Sequence, residues 1–323
     1  MEPLTKETRL SLYQEMYRIR RFEEIAIDMF RRDKIYGLLH SYIGEEPIAV
    51  GVEAHLRKED YVSGTHRSHG HALAKGMRMD RMMAELFGRR TGYNKGKGGS
   101  MHIADLSQGM LSANGIVGGG IGIAVGAAFS AKYRETDNVA VTFFGDGAIN
   151  RSTFHESMNL AAIWDLPCIF VVENNNWAIT MPSWRSSKVK NLDARAVGYG
   201  IPGVAVDGTN VEEVYEVAGE AIERARSGEG PTLMVCKATR HKGHQEGDTQ
   251  DYRPPEELAD CQATDGVKNY REFLISSAIT TEEEIKAIEA EVEQEANEAL
   301  DFAANSPFPD PEEALDDLFG DLK

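Results

Sequence analysis

One stretch, Val139 to Thr180, constrains the fold of this chain more than any other: VAVTFFGDGAINRSTFHESMNLAAIWDLPCIFVVENNNWAIT. Its apolar run Val139 to Phe144 has the length of a buried strand. The run breaks at Gly145-Asp146-Gly147 and resumes with helical periodicity through Phe154, Met158, Leu160, Ala161 and Trp164. Pro167 closes that helix, Cys168 to Val172 reads as a second buried strand, and Glu173-Asn174-Asn175 ends it. A strand–helix–strand unit of this kind puts polar groups at the carboxyl ends of two strands, where open parallel sheets bind ligands.

The side chains specify what would bind. Asp146 is a hard anionic oxygen donor and Asn175 a neutral carbonyl donor, both acceptable to Mg²⁺, which leaves its remaining positions to water and phosphate. Gly145 and Gly147 allow close backbone approach, and the start of the following helix adds partial positive charge. The stretch therefore reads as a site for a magnesium-bridged diphosphate.

The rest of the chain extends the strand–helix alternation, which predicts an α/β fold: a doubly wound, mainly parallel sheet with helices on both faces. Helices are expected over residues 5–32, 47–56, 79–88, 211–227, 254–275 and 281–302, and strands near 60–63, 203–206 and 231–238. Residues 109–132 are expected to begin as loop and become a helix of small residues, whose glycines imply close packing of backbone or ligand. We expect residues 1–265 to form the ligand-binding α/β domain with its N-terminal helix, and 266–323 a C-terminal helical, acidic extension packed on it.

Charge and cysteines exclude several classes. The net charge of −17 argues against nucleic acid and anionic membrane as partners. Much of it sits at the end: residues 281–323 hold fifteen acidic side chains against Lys286 and Lys323. Cys168, Cys236 and Cys261 lie far apart, without metal-ligand spacing, as befits free thiols in a reducing compartment. No apolar run has membrane-spanning length, and the start MEPLTKETRL lacks the features of a signal peptide, so a cytoplasmic location is expected.

The clusters HSYIGEEPIAVG, THRSHGH, KGKGGSMHIAD, NGIVGGG, GDGAIN and RHKGHQEGD occur in one order along the chain. GDG followed, after the 26 residues 148–173, by an Asn pair resembles the thiamine diphosphate fingerprint. The full series resembles the α subunits of the thiamine-diphosphate-dependent decarboxylating components of 2-oxo acid and acetoin dehydrogenase complexes, across roughly residues 10–300. Within that family the acetoin-cleaving members look closest, because THRSHGH carries His66 where pyruvate-type members usually carry Tyr, and GHQEGD replaces their usual loop.

The resemblance implies a thiamine diphosphate-binding fold and assigns roles. Arg67 and His244 would hold the diphosphate, with His66 beside it or beside the pyrimidine; Gly115 and Val117 would contact the aminopyrimidine. Asp146, Asn175 and the Trp177 carbonyl would bind Mg²⁺, Gly147 and Ala148 would touch phosphate, and His40 and His244 would face the substrate carbonyl or the incoming lipoyl group as catalytic candidates. It implies cleavage of acetoin or a 2-oxo acid and transfer of the acyl unit to lipoamide on an acyltransferase partner. The glutamate that activates the pyrimidine would come from a β subunit, in a heterotetramer of two α and two β chains. The regulatory serine of some pyruvate-type members is replaced by Gln245. A carboligase or decarboxylase outside a lipoyl complex, and a non-catalytic binding subunit, are the rival readings.

Simpler readings stand beside these. His66, His69 and His71 are spaced closely enough for zinc but lack a fourth ligand, so His69 and His71 read as loop-ordering hydrogen-bond partners. His102 and His155 read as structural. Glu45 reads as a helix cap as readily as a base, and Lys95 and Lys97 as a solvated loop or as steering charges for anions. Arg151 and Trp177 depart from the family pattern. The acidic C-terminal arm is either a solvated surface or a docking segment.

Overall fold

A computed structural model describes residues 4–317. Six parallel strands form one sheet: β1 (Tyr61–Ser63), β2 (Met110–Ser112), β3 (Ala140–Gly145), β4 (Cys168–Asn174), β7 (Gly203–Asp207) and β8 (Thr232–Lys237). Their order across the sheet is β2-β1-β3-β4-β8-β7. The short antiparallel strands β5 (Trp177–Ala178) and β6 (Met181–Pro182) make a separate hairpin.

Strand periodicity divides the interior into two cores. Val141, Phe143, Ile169, Val171, Met234 and Cys236 face one side. Ala140, Phe144, Cys168, Phe170, Val172, Leu233 and Val235 face the other. Burial on both faces explains why β3 and β4 read as continuous apolar runs rather than alternating ones. At about 1.5–3 kcal/mol for each large side chain removed from water, these two rows dominate the local stability.

The first core is covered by α1 (Lys6–Arg31), α2 (Glu46–Glu53), α3 (His69–Ala74) and α4 (Met79–Leu86), together with helices from the second half of the chain. Leu12, Met16, Ile19 and Phe22 of α1 are buried in it, as their spacing predicts. The second core is covered by α5 (Gly119–Tyr133) and α6 (Ser152–Ile163), and by a 3₁₀ segment at Leu192–Tyr199. The four-residue α7 (Ser183–Ser186) follows the hairpin, and α8 (Val211–Arg226) joins β7 to β8. The sheet is thus doubly wound, as expected from the sequence.

Three expectations need correction. The segment expected as loop before α5 contains β2, an edge strand of three residues that is too short to leave a periodic signal. The helix expected over 254–275 is two, α9 (Pro255–Ala263) and α10 (Gly266–Ser276). Asp265 breaks it by capping α10, its side chain accepting from the Val267 and Lys268 N–H groups. The glycines of α5 serve two purposes rather than one. A Cβ at Gly120 would meet the Ser63 Oγ at 2.4 Å, whereas one at Gly126 would meet nothing, because that side of α5 is open.

The last helix, α11 (Glu282–Asn305), starts with a capping box between Thr281 and Glu284 and packs against α1 and α4. Beyond it the acidic arm folds back along residues 89–97: Arg89 stacks on Phe308, Arg90 pairs with Glu313, and Lys95 and Lys97 both pair with Asp317. The two lysines are therefore engaged by the arm and are not free steering charges. The end of the arm, residues 318–323, lies outside the described residues, as do residues 1–3 of the N-terminal sequence.

Candidate active site

The carboxyl ends of β1, β3, β4 and β8 lead into Gly64-Thr65-His66-Arg67, Gly145-Asp146-Gly147, Glu173-Asn174-Asn175 and Thr239-Arg240. Parallel register aligns them: Gly145 pairs with Glu173, and Glu173 with Cys236. The four ends enclose a cavity of about 450 Å³. All eleven residues singled out in the sequence line it: His40, His66, Arg67, Gly115, Val117, Asp146, Gly147, Ala148, Asn175, Trp177 and His244. A Cβ at Gly147 would lie 2.6 Å from that of Ala178, so glycine is needed for the hairpin to close on the GDG turn.

Asp146 is buried, and its Oδ2 has no hydrogen-bond partner. Burial pushes its carboxyl up to about 6, against hydrogen bonds from backbone N–H groups and the field of Arg240, which pull it down. An unpartnered carboxylate oxygen in such a cavity is a ready ligand for a hard cation. Asn175 is held at both ends: its Nδ2 donates to Glu45 Oε1 at 2.6 Å, and its Oδ1 accepts from the Trp177 N–H at 3.1 Å. These residues fit Mg²⁺.

Glu45 is not a helix cap. It occupies the position before α2 but makes no capping hydrogen bond; its side chain turns into the cavity instead. Burial, reinforced by Glu173, pushes its carboxyl up. Glu173 itself accepts from the Tyr42 hydroxyl at 2.5 Å and meets His71 Nε2 at 2.7 Å.

The histidines sort differently from their spacing in sequence. His69 and His71 are fully buried at the start of α3, not in a loop; His69 bridges Glu23 and Ser100, and His71 reaches Glu173. Their role as hydrogen-bond partners holds, and among the described residues they form no zinc cluster with His66. His66 instead gathers with His40 and His244, their rings 4.6–5.3 Å apart. Ring nitrogens of these three lie within 4.8 Å of one another, close enough for a metal. Charge decides against it: Arg67 is buried beside them and Arg240 lines the same cavity. Burial and Arg67 lower His40 to about 3 and His244 to about 4, and the same causes take His66 well down. Three neutral imidazoles beside two guanidinium groups form an anion site.

Arg67 spends much of its donor capacity on main chain, with Nη1 on the Ser41 carbonyl at 2.7 Å and Nη2 on that of His244 at 2.6 Å. It thereby ties the His40 segment to the His244 loop and brings its charge to the cavity wall. The cation that sequence reasoning missed is Arg240. It is 1% exposed, its Nε has no partner, and it lies in the RHKGH cluster quoted for its histidines alone. His102 and His155 are exposed and bond locally, to the Gly98 carbonyl and the Tyr199 hydroxyl.

A buried, unpartnered carboxylate and two arginines lining one cavity at the carboxyl edge of a parallel sheet are the groups a metal-bound diphosphate would need in an α/β enzyme subunit. Comparison with known proteins narrows the class. The profile of the dehydrogenase E1 component family matches residues 14–312, and the chain belongs to that family. It is 47% identical over 317 residues to the α subunit of acetoin:2,6-dichlorophenolindophenol oxidoreductase of Bacillus subtilis, covering 98% of this chain and 95% of that one. The corresponding subunit of Cupriavidus necator is also 47% identical, over 98% of this chain and 96% of its own. The chloroplastic pyruvate dehydrogenase E1 component subunit alpha-3 of Arabidopsis thaliana is 42% identical, over 99% of this chain and 76% of its own. The chain is accordingly an α subunit of a thiamine-diphosphate-dependent dehydrogenase. No helix among the described residues is long and apolar enough to cross a membrane.

Proposed function

We propose that this chain is the α subunit of a cytoplasmic acetoin dehydrogenase, binding thiamine diphosphate and Mg²⁺ and working with a β subunit in a two-α, two-β assembly. The observation that carries the reading is the pairing, in one cavity, of the unpartnered Asp146 carboxylate with Arg67, Arg240 and the three neutral histidines. The greater identity to acetoin-type than to pyruvate-type relatives, 47% against 42%, supports the substrate.

When bound, the cofactor supplies a carbon nucleophile and an electron sink for cleavage next to a carbonyl. Asp146, Asn175 and the Trp177 carbonyl would hold the metal, and Arg67, Arg240 and His244 would balance the diphosphate charge, with Gly147 and Ala148 admitting it closely. Gly115 and Val117, which line the same cavity, would meet the cofactor ring. His40 and His244, held neutral by burial and by Arg67, can each accept a proton at a ring nitrogen and return it. His66 packs against both rings.

Val117 is half exposed and Ile116 more so, and α5 and the end of α6 present a further apolar face of Ile123, Phe129, Ile163 and Trp164, with Phe129 and Trp164 in ring contact. Such a face beside an incomplete cavity suits a β subunit that completes the site. Reconstitution with that subunit, Mg²⁺ and the cofactor tests the proposal. Acetoin is expected to be cleaved faster than pyruvate or branched-chain 2-oxo acids, with acyl transfer to a lipoyl domain of the acyltransferase. Preference for a 2-oxo acid would overturn the substrate, and release of free aldehyde without transfer would overturn the dehydrogenase reading.

A further inference from the structure

The hairpin that follows the proposed metal ligands carries a residue that its turn disfavours. Strands β5 and β6 pair Ala178 with Met181, which leaves Ile179 and Thr180 as a two-residue turn. Ile179 sits there at φ 56°. Turns of that length ordinarily place glycine, asparagine or aspartate where φ is positive, because a branched Cβ crowds the backbone in the left-handed region. Among the described residues Ile179 is the one β-branched side chain at positive φ; Asn176, at φ 67° in the same hairpin, is a residue type that accepts the conformation.

Packing does not explain the choice. The Ile179 side chain is 55% exposed and belongs to neither core. It does line the cavity, as do Trp177 and Ala178 before it. Ala178 presses on Gly147 of the GDG turn, and the Ile179 carbonyl accepts from Arg240 Nη2 at 3.3 Å. Contacts at Ala178 and at the Ile179 carbonyl therefore hold a conformation that the turn sequence alone would reject. Its product is an aliphatic side chain at the boundary of cavity and solvent, one residue from the contact with the GDG turn.

We propose that Ile179 is an apolar cover for the Asp146 end of the cavity, and that the left-handed turn is kept because it places this side chain at the rim. The inference rests on the diphosphate reading of that cavity. Asp146 and Arg240 are buried and would act on a metal-bound anion through forces that water screens. A hydrocarbon side chain at the rim displaces water and offers no competing donor or acceptor. Glycine would relax the turn but leave the rim open, and asparagine would tolerate the turn but bring its own hydration.

The test uses the reconstituted α–β complex without bound cofactor. It measures Mg²⁺-dependent binding of inorganic pyrophosphate by calorimetry and stopped flow, with thermal unfolding and sedimentation alongside. Ile179→Ala removes the cover and keeps the strain; Ile179→Gly removes both. Each is expected to bind pyrophosphate about three- to tenfold more weakly than wild type, chiefly through faster release. Ile179→Leu, with apolar bulk but no branch at Cβ, is expected to restore wild-type affinity. The unfolding midpoint of Ile179→Gly is expected about 2 °C above that of Ile179→Ala, because glycine alone relaxes the turn. Wild-type affinity in both the Ala and Gly variants would overturn the cover. Equal midpoints for those two variants would refute the strained turn. Loss of subunit assembly in Ile179→Ala would show an interface contact in place of a cover. Failure of the wild-type complex to bind pyrophosphate would remove the cavity reading and the cover together.

Discussion

Replacing Asp146 by asparagine is expected to make the cofactor-free protein more stable while removing its metal site. The carboxyl ionises at 3.8 in its ordinary setting and at about 6 when folded, because burial opposes its charge. Lifting it that far costs the folded, ionised state about 3 kcal/mol at neutral pH. The sign follows from proton uptake: between pH 3.8 and 6 the folded chain binds more protons at this group than the unfolded chain does, so stability is lost as pH rises. Above about 6 the whole cost is present. The introduced amide would keep an oxygen for the backbone N–H groups and carry no charge. Urea unfolding of the metal-free protein at pH 7.5 should therefore favour Asp146→Asn by about 2–3 kcal/mol, and the difference between the two proteins should close by about pH 4. Taking the difference cancels the opposite trend from His40 and His244, whose lowered values make stability fall as pH drops below 6.5. In calorimetry, Mg²⁺-dependent cofactor binding should vanish in the variant. Equal or lower stability of Asp146→Asn at pH 7.5 would refute the claim that the charge is held at a cost, and retained cofactor affinity would refute its role as ligand.

Two further outcomes follow from other buried polar groups. The carboxylate of Glu85, fully buried, accepts from the N–H groups of Asn94, Gly96, Gly98 and Gly99 at 2.8–3.0 Å. Glu85→Ala should cost about 4 kcal/mol, allowing some rehydration of the four orphaned donors, and hydrogen exchange should rise selectively over residues 93–100; a loss under 1 kcal/mol would refute it. The imidazoles of His40 and His244 should stay neutral from pH 8 down to about 5.5 in the cofactor-free protein, and ring-nitrogen chemical shifts that titrate near 6.5 would contradict their burial beside Arg67.

The sequence made the centre of the fold readable because β3 and β4 are buried on both faces and α6 between them keeps its period. Most of the site residues converge because they follow the ends of strands, whereas His40 reaches the cavity from the connection between α1 and α2. What was hidden has physical reasons. A three-residue edge strand such as β2 carries no period, and the break at Asp265 depends on a capping side chain inside an otherwise helical pattern. Glu45 had a local explanation as a cap, so its burial against Asn175 could only be learned in three dimensions. Arg240 looked like one basic residue among several, and only its 1% exposure separates it from Lys242, which is exposed.

The alignment of Gly145, Glu173 and Cys236 on neighbouring strands bears on which changes of length the chain can absorb. The site's ligands follow the ends of strands locked in register, so their separation is set by the sheet and not by the path between strands. A residue added to the turn between α8 and β8 would leave Gly145 opposite Glu173, and so Asp146 and Asn175 just beyond that pair. One added inside β4 would exchange its two core faces and carry Asn175 out of reach of Glu45. Natural variation and protein engineering alike therefore have freedom in the helical connections and almost none within the three central strands.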